Sequence, residues 1–348
     1  MLTSEDKILV TGGAGYIGSH TIIELLASRS AHVVSVDSLV NSSHAVFDRI
    51  ERITGKRVVN HHVDLCDRSA VEKLFAAEPD IKGVIHFAAL KSVPESTNYP
   101  GRYYRNNIIS LLNVLDACQT HGIPNFIFSS SCSVYGNIDV MPVTETTPLQ
   151  RAESPYAYTK QVGERIVDDH VLAGAGMRAI SLRYFNPAGA HGSGLNGEDP
   201  TNAPSSLVPV ITRTASGRIP MMHVHGTDYP TRDGSCIRDY VHVCDIADAH
   251  ILALERAGSG AMEAMHEIIN LGTGKGVSVL EAIATFEEVS GRGLNYELGP
   301  RRSGDVVAVY SDTTLSERLL GWKARRDLHE MMRSAWAWEQ HLATESVR

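Results

Sequence analysis

Short apolar runs rich in β-branched residues recur through the first half of the chain, at residues 8–10, 33–36, 58–63, 84–87, 126–128 and 179–182. Most are apolar at neighbouring positions and all are too short for a buried helix, the pattern of a strand covered on both faces. Longer stretches between them place apolar residues three and four apart and predict helices over 18–27, 45–53, 70–76, 108–120 and 156–172. Strands alternating with helices need crossover connections, and right-handed crossovers set the helices on both faces of a parallel sheet. The expected fold class is α/β, with a doubly wound parallel sheet. Beyond Asn186 the alternation gives way to loops rich in Gly, Pro and Asn, from Pro187-Ala188-Gly189-Ala190 through Pro200 to Pro204. A second, smaller mixed α/β domain is expected there, dividing the chain into residues 1–185 and 186–348, with the boundary approximate and open to exchange of chain. Near the end, Met331-Met332-Arg333-Ser334-Ala335-Trp336-Ala337-Trp338 predicts an amphipathic helix packed on the core.

Composition narrows the function classes. With 348 residues, 43% of them hydrophobic and 21% charged, the chain can bury a full core unaided. Its formal net charge of −8 is spread along the sequence, without the basic runs that nucleic acid or an anionic membrane surface would require. No stretch approaches the roughly 20 consecutive apolar residues of a membrane span, and Ser4-Glu5-Asp6-Lys7 does not read as part of a signal peptide, so the expected location is cytoplasmic. Five cysteines, odd in number and without paired spacing, fit reduced thiols better than a disulfide framework or a zinc site. His61-His62 and His223/His225 lack accompanying ligands and read as strand or loop histidines, so no metal is expected.

The candidate chemistry begins directly after the first strand. Thr11-Gly12-Gly13-Ala14-Gly15-Tyr16-Ile17-Gly18 leads into a helix, and such a glycine loop lets backbone N–H groups and the helix N-terminus approach a pyrophosphate. The second strand ends in Asp37, about 20 residues further on, where an acid accepts hydrogen bonds from an adenosine ribose diol. That acid repels a 2′-phosphate, and Ser38-Leu39-Val40-Asn41 offers no cation to hold one, so the cofactor is NAD rather than NADP. The sheet is accordingly Rossmann-type. In Ser154-Pro155-Tyr156-Ala157-Tyr158-Thr159-Lys160, Tyr156 and Lys160 stand at i and i+4 on one helix face. The ammonium is expected to lower the phenol's pKa and make Tyr156 a general base, with Ser131, delivered by Phe126-Ile127-Phe128-Ser129-Ser130-Ser131, sharing the proton.

These residues together resemble the short-chain dehydrogenase/reductase superfamily in its extended, sugar-nucleotide-modifying form, and within it the UDP-glucose 4-epimerase (UDP-galactose 4-epimerase) family. Further ordered matches are Phe87-Ala88-Ala89-Leu90-Lys91-Ser92-Val93, Tyr103-Tyr104-Arg105-Asn106-Asn107, Arg183-Tyr184-Phe185-Asn186-Pro187 and Arg238-Asp239-Tyr240-Val241-His242-Val243. The resemblance covers nearly the whole chain and implies an NAD-binding domain over 1–185 and a UDP-sugar-binding domain over 186–348. It implies that Ser131, Tyr156 and Lys160 are catalytic. Gly12, Gly15, Tyr16, Ile17, Gly18, Asp37, Asn41, Asp64, Leu65, Phe87, Ala88, Lys91, Asn106 and Tyr184 would line the NAD site. Asn186, Leu207, His225, Arg238, Arg302, Asp305 and Val309 would meet the UDP-sugar, together with Lys91, Ser131 and Tyr156. The implied reaction is reversible 4-epimerisation of UDP-galactose and UDP-glucose through a 4-keto intermediate, with tightly bound NAD, in a homodimer formed through the helices near 108–118 and 156–172.

Two departures from the family bear on specificity. Ser206-Leu207 stands where Asn-Leu is frequent, and His225 occupies an aromatic position beside the uracil. Val309 aligns with a sugar-pocket gate that is tyrosine in some members, which leaves room for a 2-acetamido group and extends the expected substrates to UDP-N-acetylhexosamines. UDP-pentoses and UDP-uronates stay open as alternatives. Dehydration is disfavoured because Cys132-Ser133 replaces the Asp-Glu pair that related dehydratases carry after the catalytic hydroxyl residue. A silent nucleotide-sensing protein is disfavoured by the intact Ser131, Tyr156 and Lys160.

Overall fold

The computed structural model describes residues 2–345 except 30, 175, 202, 203, 205 and 302–305. Six strands from the first half are β1 (Lys7–Thr11), β2 (His32–Val36), β3 (Val59–His61), β4 (Ile81–His86), β5 (Asn125–Ser129) and β6 (Arg178–Tyr184). Between them run α1 (Tyr16–Glu24), continued by a π turn over Leu25–Arg29, then α2 (Ala45–Thr54), α3 (Arg68–Ala77), α4 (Val93–Asn98), α5 (Pro100–Thr120) and α6 (Pro155–Leu172). All six expected strands form. Helix α5 starts at Pro100, eight residues before the expected 108, because proline suits a first helical turn and the polar stretch that follows buries Tyr103 and Asn107.

The second half adds β7 (Asn186–Ala188), α7 (Leu207–Ala215), β8 (Met222–His225), β9 (Ile237–Arg238), β10 (Tyr240–His242), α8 (Val243–Ser259) and β11 (His266–Leu271). It ends with β12 (Val277–Ser278), α9 (Val279–Ser290), β13 (Tyr296–Gly299), β14 (Ala308–Val309), α10 (Thr314–Leu320) and α11 (Leu328–Glu345). Strand β11 returns to the first half and pairs in parallel with β6, giving a seven-stranded sheet in the order β11-β6-β5-β4-β1-β2-β3. All of its pairings are parallel.

One face of the sheet is covered by α1, α2 and α8 through Ile22, Leu25, Ile50, Ile246 and Leu254. The other is covered by α3, α5 and α6 through Leu74, Phe75, Leu111, Leu115 and Val167. The strand order reverses between β1 and β4, where Thr11 pairs with His86 at the carboxyl ends, the place where open sheets of this kind bind ligands. A separate apolar cluster joins α7, α9 and α11 through Ile211, Phe286, Met331 and Met332, so the C-terminal helix packs on the core as its pattern predicts. No described helix is long and apolar enough to cross a membrane.

Candidate active site

At the end of β1 the chain turns through Gly12, whose φ of +69° suits glycine. A Cβ there would lie 2.8 Å from the Ala88 nitrogen, so the residue type also lets the loop after β1 approach the loop after β4. Gly15 precedes α1 without a side-chain cap, and no acid stands in the first turn. The positive end of the helix dipole is therefore kept for an anion, and Gly18 lets the turn close against Gly12, where a Cβ would meet its carbonyl oxygen at 2.2 Å. Tyr16 donates its hydroxyl to the Gly189 carbonyl at 2.6 Å, and Ile17 is half-buried beside it.

Asp37 sits at the end of β2 and accepts from the Ala14 N–H at 3.0 Å, the Leu39 N–H at 2.8 Å and the Ser42 hydroxyl at 3.2 Å. Burial pushes its carboxyl above the ordinary range, and these hydrogen bonds pull the other way. Asn41 is exposed on the same loop. Leu65 is buried and its carbonyl accepts from Asn113 at 2.8 Å, while Asp64 accepts from the Cys66 N–H at 2.9 Å. The Cys66 thiol reaches the Asn106 carbonyl at 3.7 Å, which joins this loop to α5. Phe87 lies 4.6 Å from the His250 ring, and the Ala88 N–H donates to the Thr11 hydroxyl at 3.2 Å. Lys91 pairs with Glu198 at 2.6 Å.

Tyr156 and Lys160 occupy the buried face of α6, which starts at Pro155 with Ser154 as its cap, accepting from the Ala157 N–H. Lys160 donates to the Ser129 carbonyl at 2.6 Å, lies 5.0 Å from the centre of the Phe128 ring and 6.0 Å from that of Tyr156. Burial lowers its pKa to about 8, with Glu164 acting in the other direction. Tyr156 packs with Leu90 and Tyr103. The expected fall in its pKa does not occur in the protein alone: burial pushes the phenol up, as do Tyr184, Cys132 and Tyr103, and only a hydrogen bond with Ser131 opposes them. At this site desolvation of the phenolate outweighs the pull of an ammonium that is itself desolvated and turned toward a backbone carbonyl. Ser131 is buried and opens a short 3₁₀ turn, Cys132–Tyr135, accepting from the Ser133 N–H at 3.2 Å. The Tyr184 hydroxyl meets Ser129 at 2.7 Å, and burial pushes its pKa up to about 12.

The residues expected to meet the UDP-sugar come mostly from the second half. Asn186 donates its N–H to the Asp239 carbonyl at 2.9 Å, while its side-chain Oδ1 is buried with no hydrogen-bond partner among the described residues. Such an atom fits a ligand donor. Arg238 donates to the carbonyls of Ile237 and Val306, both at 2.9 Å, and pairs in register with Val309 of β14. Leu207 is the first residue of α7, whose cap, Ser206, makes no side-chain hydrogen bond to the helix. His225 is exposed at the end of β8, 6.3 Å from the His223 ring. Arg302 and Asp305 lie outside the described residues. Among the described residues no group of three or more His, Cys, Asp or Glu side chains is placed to hold a metal ion.

The open helix start, the glycine turn, the acid after β2 and the orphaned Asn186 oxygen together fit a dinucleotide beside a polar substrate. Against known proteins, the sequence pattern of the NAD dependent epimerase/dehydratase family matches residues 8–272. The chain belongs to that family.

Similarity to individual epimerases extends beyond the matched segment. The UDP-glucose 4-epimerase of Erwinia amylovora is 46% identical over 333 residues, which cover 96% of this chain and 97% of that one. The crystal structure of UDP-glucose-4-epimerase from Stenotrophomonas maltophila with bound NAD and formylated UDP-arabinopyranose matches at a TM-score of 0.93 and 44% identity, over 98% of this chain and 100% of that one. The Bifidobacterium longum UDP-glucose 4-epimerase in complex with NAD+ and UDP matches at 0.91 and 42%, over 96% and 98%.

In this member of the epimerase/dehydratase family, groups that the sequence reading gave no role hold the site in place. Glu164 receives both Arg183 Nε at 2.8 Å and Nη2 at 2.7 Å, and the Ser130 hydroxyl at 2.5 Å, so it fixes the residue next to Ser131. Asn107 bonds Leu90 in both directions and donates to Thr159 at 3.1 Å, locking α5 and α6 to the loop after β4. Glu164 follows Lys160 by one helical turn, and that acid on a buried face is the signal by which the sequence could have marked it.

Proposed function

We propose that the protein interconverts UDP-galactose and UDP-glucose by inversion at the sugar C4, using a tightly bound NAD. The observation that carries the reading is the placement of Tyr156, Lys160 and Ser131 together near the carboxyl end of β5, in a chain so similar to UDP-glucose 4-epimerases over nearly its whole length. Gly12, Gly15, Gly18, Asp37 and the loops after β3 and β4 would hold NAD. When bound, it supplies the oxidant that takes hydride from C4 and the reductant that returns it.

Tyr156 removes the proton of the 4-hydroxyl and later gives it back, so each turnover leaves no net proton or electron change. Lys160, one helical turn away, supplies positive charge on the same face. Ser131 holds the reacting oxygen through its hydroxyl. The 4-keto sugar must present its other face before reduction, which requires a firm hold on UDP and a loose one on the hexose. Arg238, Arg302, Asn186 and the start of α7 at Leu207 suit the hold on UDP, since a guanidinium matches phosphate oxygens. Val309, Asp305 and His225 complete the proposed sugar-nucleotide contacts. The small Val309 side chain supports acceptance of UDP-N-acetylhexosamines as well.

The same reading includes a homodimer. Tyr158, Ile109 and Leu172 are exposed on α5 and α6, apolar side chains that a second copy would cover, and sedimentation at micromolar concentration tests for twice the chain mass. The cytoplasm is the proposed compartment, supported by five cysteines with no disulfide among them. The function itself is tested by NMR of UDP-galactose incubated with the purified protein. UDP-glucose as the product supports it, and a 4-keto-6-deoxy sugar or unchanged substrate contradicts it.

A further inference from the structure

Lys91 and Glu198 come from opposite halves of the chain and meet at 2.6 Å. The Lys91 ammonium also lies 5.9 Å from the centre of the Tyr16 ring, at the start of α1. The two ends of the pair differ in environment: the Lys91 side chain is 54% exposed and that of Glu198 is 9% exposed. Fully exposed pairs add little to a fold, whereas a carboxylate covered this far depends on its partners. Glu198 has a second one in the Ser206 hydroxyl at 3.2 Å, from the residue that precedes α7.

The backbone at Glu198 is fixed as well. Trp338 of α11 donates its indole N–H to the Glu198 carbonyl at 3.2 Å. Gly197 leaves room for that indole, because a Cβ there would lie 2.4 Å from the ring. The ring is also met by Arg49 of α2, whose guanidinium carbon lies 5.0 Å from its centre. One carboxylate therefore joins the wall that carries the glycine loop to the wall that carries α7, and its own position is set by the C-terminal helix.

We infer that Glu198 is a positioning residue for the epimerase reaction and acts through Lys91; the inference rests on the function proposed above. The carboxylate keeps the Lys91 ammonium beside the start of α1 and ties Ser206 at the start of α7, the two helix ends that suit the phosphates of cofactor and substrate. Without it the ammonium moves into solvent and the two walls lose their shared fastening. The cofactor then leaves faster and the UDP-sugar binds less well, while proton transfer at Tyr156 is untouched.

The test is a double-mutant cycle of Glu198→Gln, Lys91→Met and the pair, made on the purified holoenzyme. Three quantities are read: the rate at which NAD is lost on dialysis, KM for UDP-galactose, and kcat. Each single variant is expected to raise NAD loss and KM about tenfold with kcat within about threefold, and the double variant to fall well short of the product of the two single effects. Additive effects, or a fall in kcat with KM and NAD retention unchanged, overturn the inference. Should Glu198→Gln lower the melting temperature sharply, Lys91→Met at the exposed end decides alone: unchanged NAD loss and KM overturn the proposal. A wild type that retains NAD but does not epimerise would instead contradict the proposed function, and the NAD-loss arm would still read the pair.

Discussion

Lys160 holds its ammonium 6.0 Å from the centre of the Tyr156 ring while donating a 2.6 Å hydrogen bond to the Ser129 carbonyl oxygen. The charge is close enough to act on the phenol, yet it is anchored to the backbone at the end of β5, the strand that leads to Ser131. The end of β5 and the Tyr156 ring thus meet at a single side chain.

That anchoring sets a pH dependence. Burial lowers Lys160 from its ordinary 10.5 to about 8, so its charge is present below about pH 8 and is lost as pH rises through it. Activity should fall on the alkaline side with a limb near that value, and Lys160→Met should lower kcat by about 100-fold or more and remove the limb. Between about 8 and 10.5 the unfolded chain binds more protons at this residue than the native one, so its contribution makes stability rise with pH across that window. Denaturant titrations of wild type and Lys160→Met over that range should differ in slope with this sign.

The buried Arg183–Glu164 pair makes a separate prediction. Both side chains are almost fully covered, at 3% and 6% exposure, and Glu164 also receives the Ser130 hydroxyl. Glu164→Gln leaves the guanidinium without its countercharge and should destabilise the protein by about 3–5 kcal/mol. Urea unfolding measures the loss. A change below about 1 kcal/mol would show that the pair is not what fixes the end of β5.

Gly12→Ala tests the dinucleotide cradle. The left-handed backbone alone costs an alanine about 1–2 kcal/mol, and its Cβ would press on the Ala88 backbone 2.8 Å away. The variant should be purified with less than about a tenth of the wild-type NAD content, since the loop must shift to relieve the contact. Dinucleotide released by acid from each protein gives the comparison.

Val309 carries the prediction about substrate breadth. It is buried and stands opposite Arg238 in the β9–β14 pairing, so a larger side chain intrudes next to a proposed UDP contact. Val309→Tyr should reduce kcat/KM for UDP-N-acetylgalactosamine by about 100-fold and that for UDP-galactose by less than about tenfold. Equal losses for both would mean that the residue governs packing rather than the 2-acetamido group.

The parts of the fold written in local pattern were legible in the sequence. Five of the first six strands are mostly apolar because helices cover both faces, the edge strand β3, Val59-Asn60-His61, being the exception, and the helices between them carry their own spacing. Strand β11 left no such mark: His266-Glu267-Ile268-Ile269-Asn270-Leu271 mixes polar and apolar positions, with the buried Glu267 held by Arg256 at 2.6 Å and by the Glu263 N–H at 2.7 Å. Its place beside β6 depends on a partner more than 80 residues away. The site divides in the same manner. Tyr156 and Lys160 were readable from one helix face, and the glycine loop from its place after a strand. The Glu164 clamp, the Asn107 bridge and the Lys91–Glu198 pair join segments that only the tertiary structure brings together. The direction of the Tyr156 pKa was not readable at all, because spacing gives the nearest charge but not the burial that outweighs it.

The most direct test is conversion of UDP-galactose to UDP-glucose by the purified protein with no nucleotide added, beside Tyr156→Phe prepared in the same way. The predicted result is turnover by the wild type and a loss of about 1,000-fold or more in the variant, with its fold and NAD content unchanged. A wild type that is inactive even when NAD is supplied, or a Tyr156→Phe variant that retains full activity, would contradict the account.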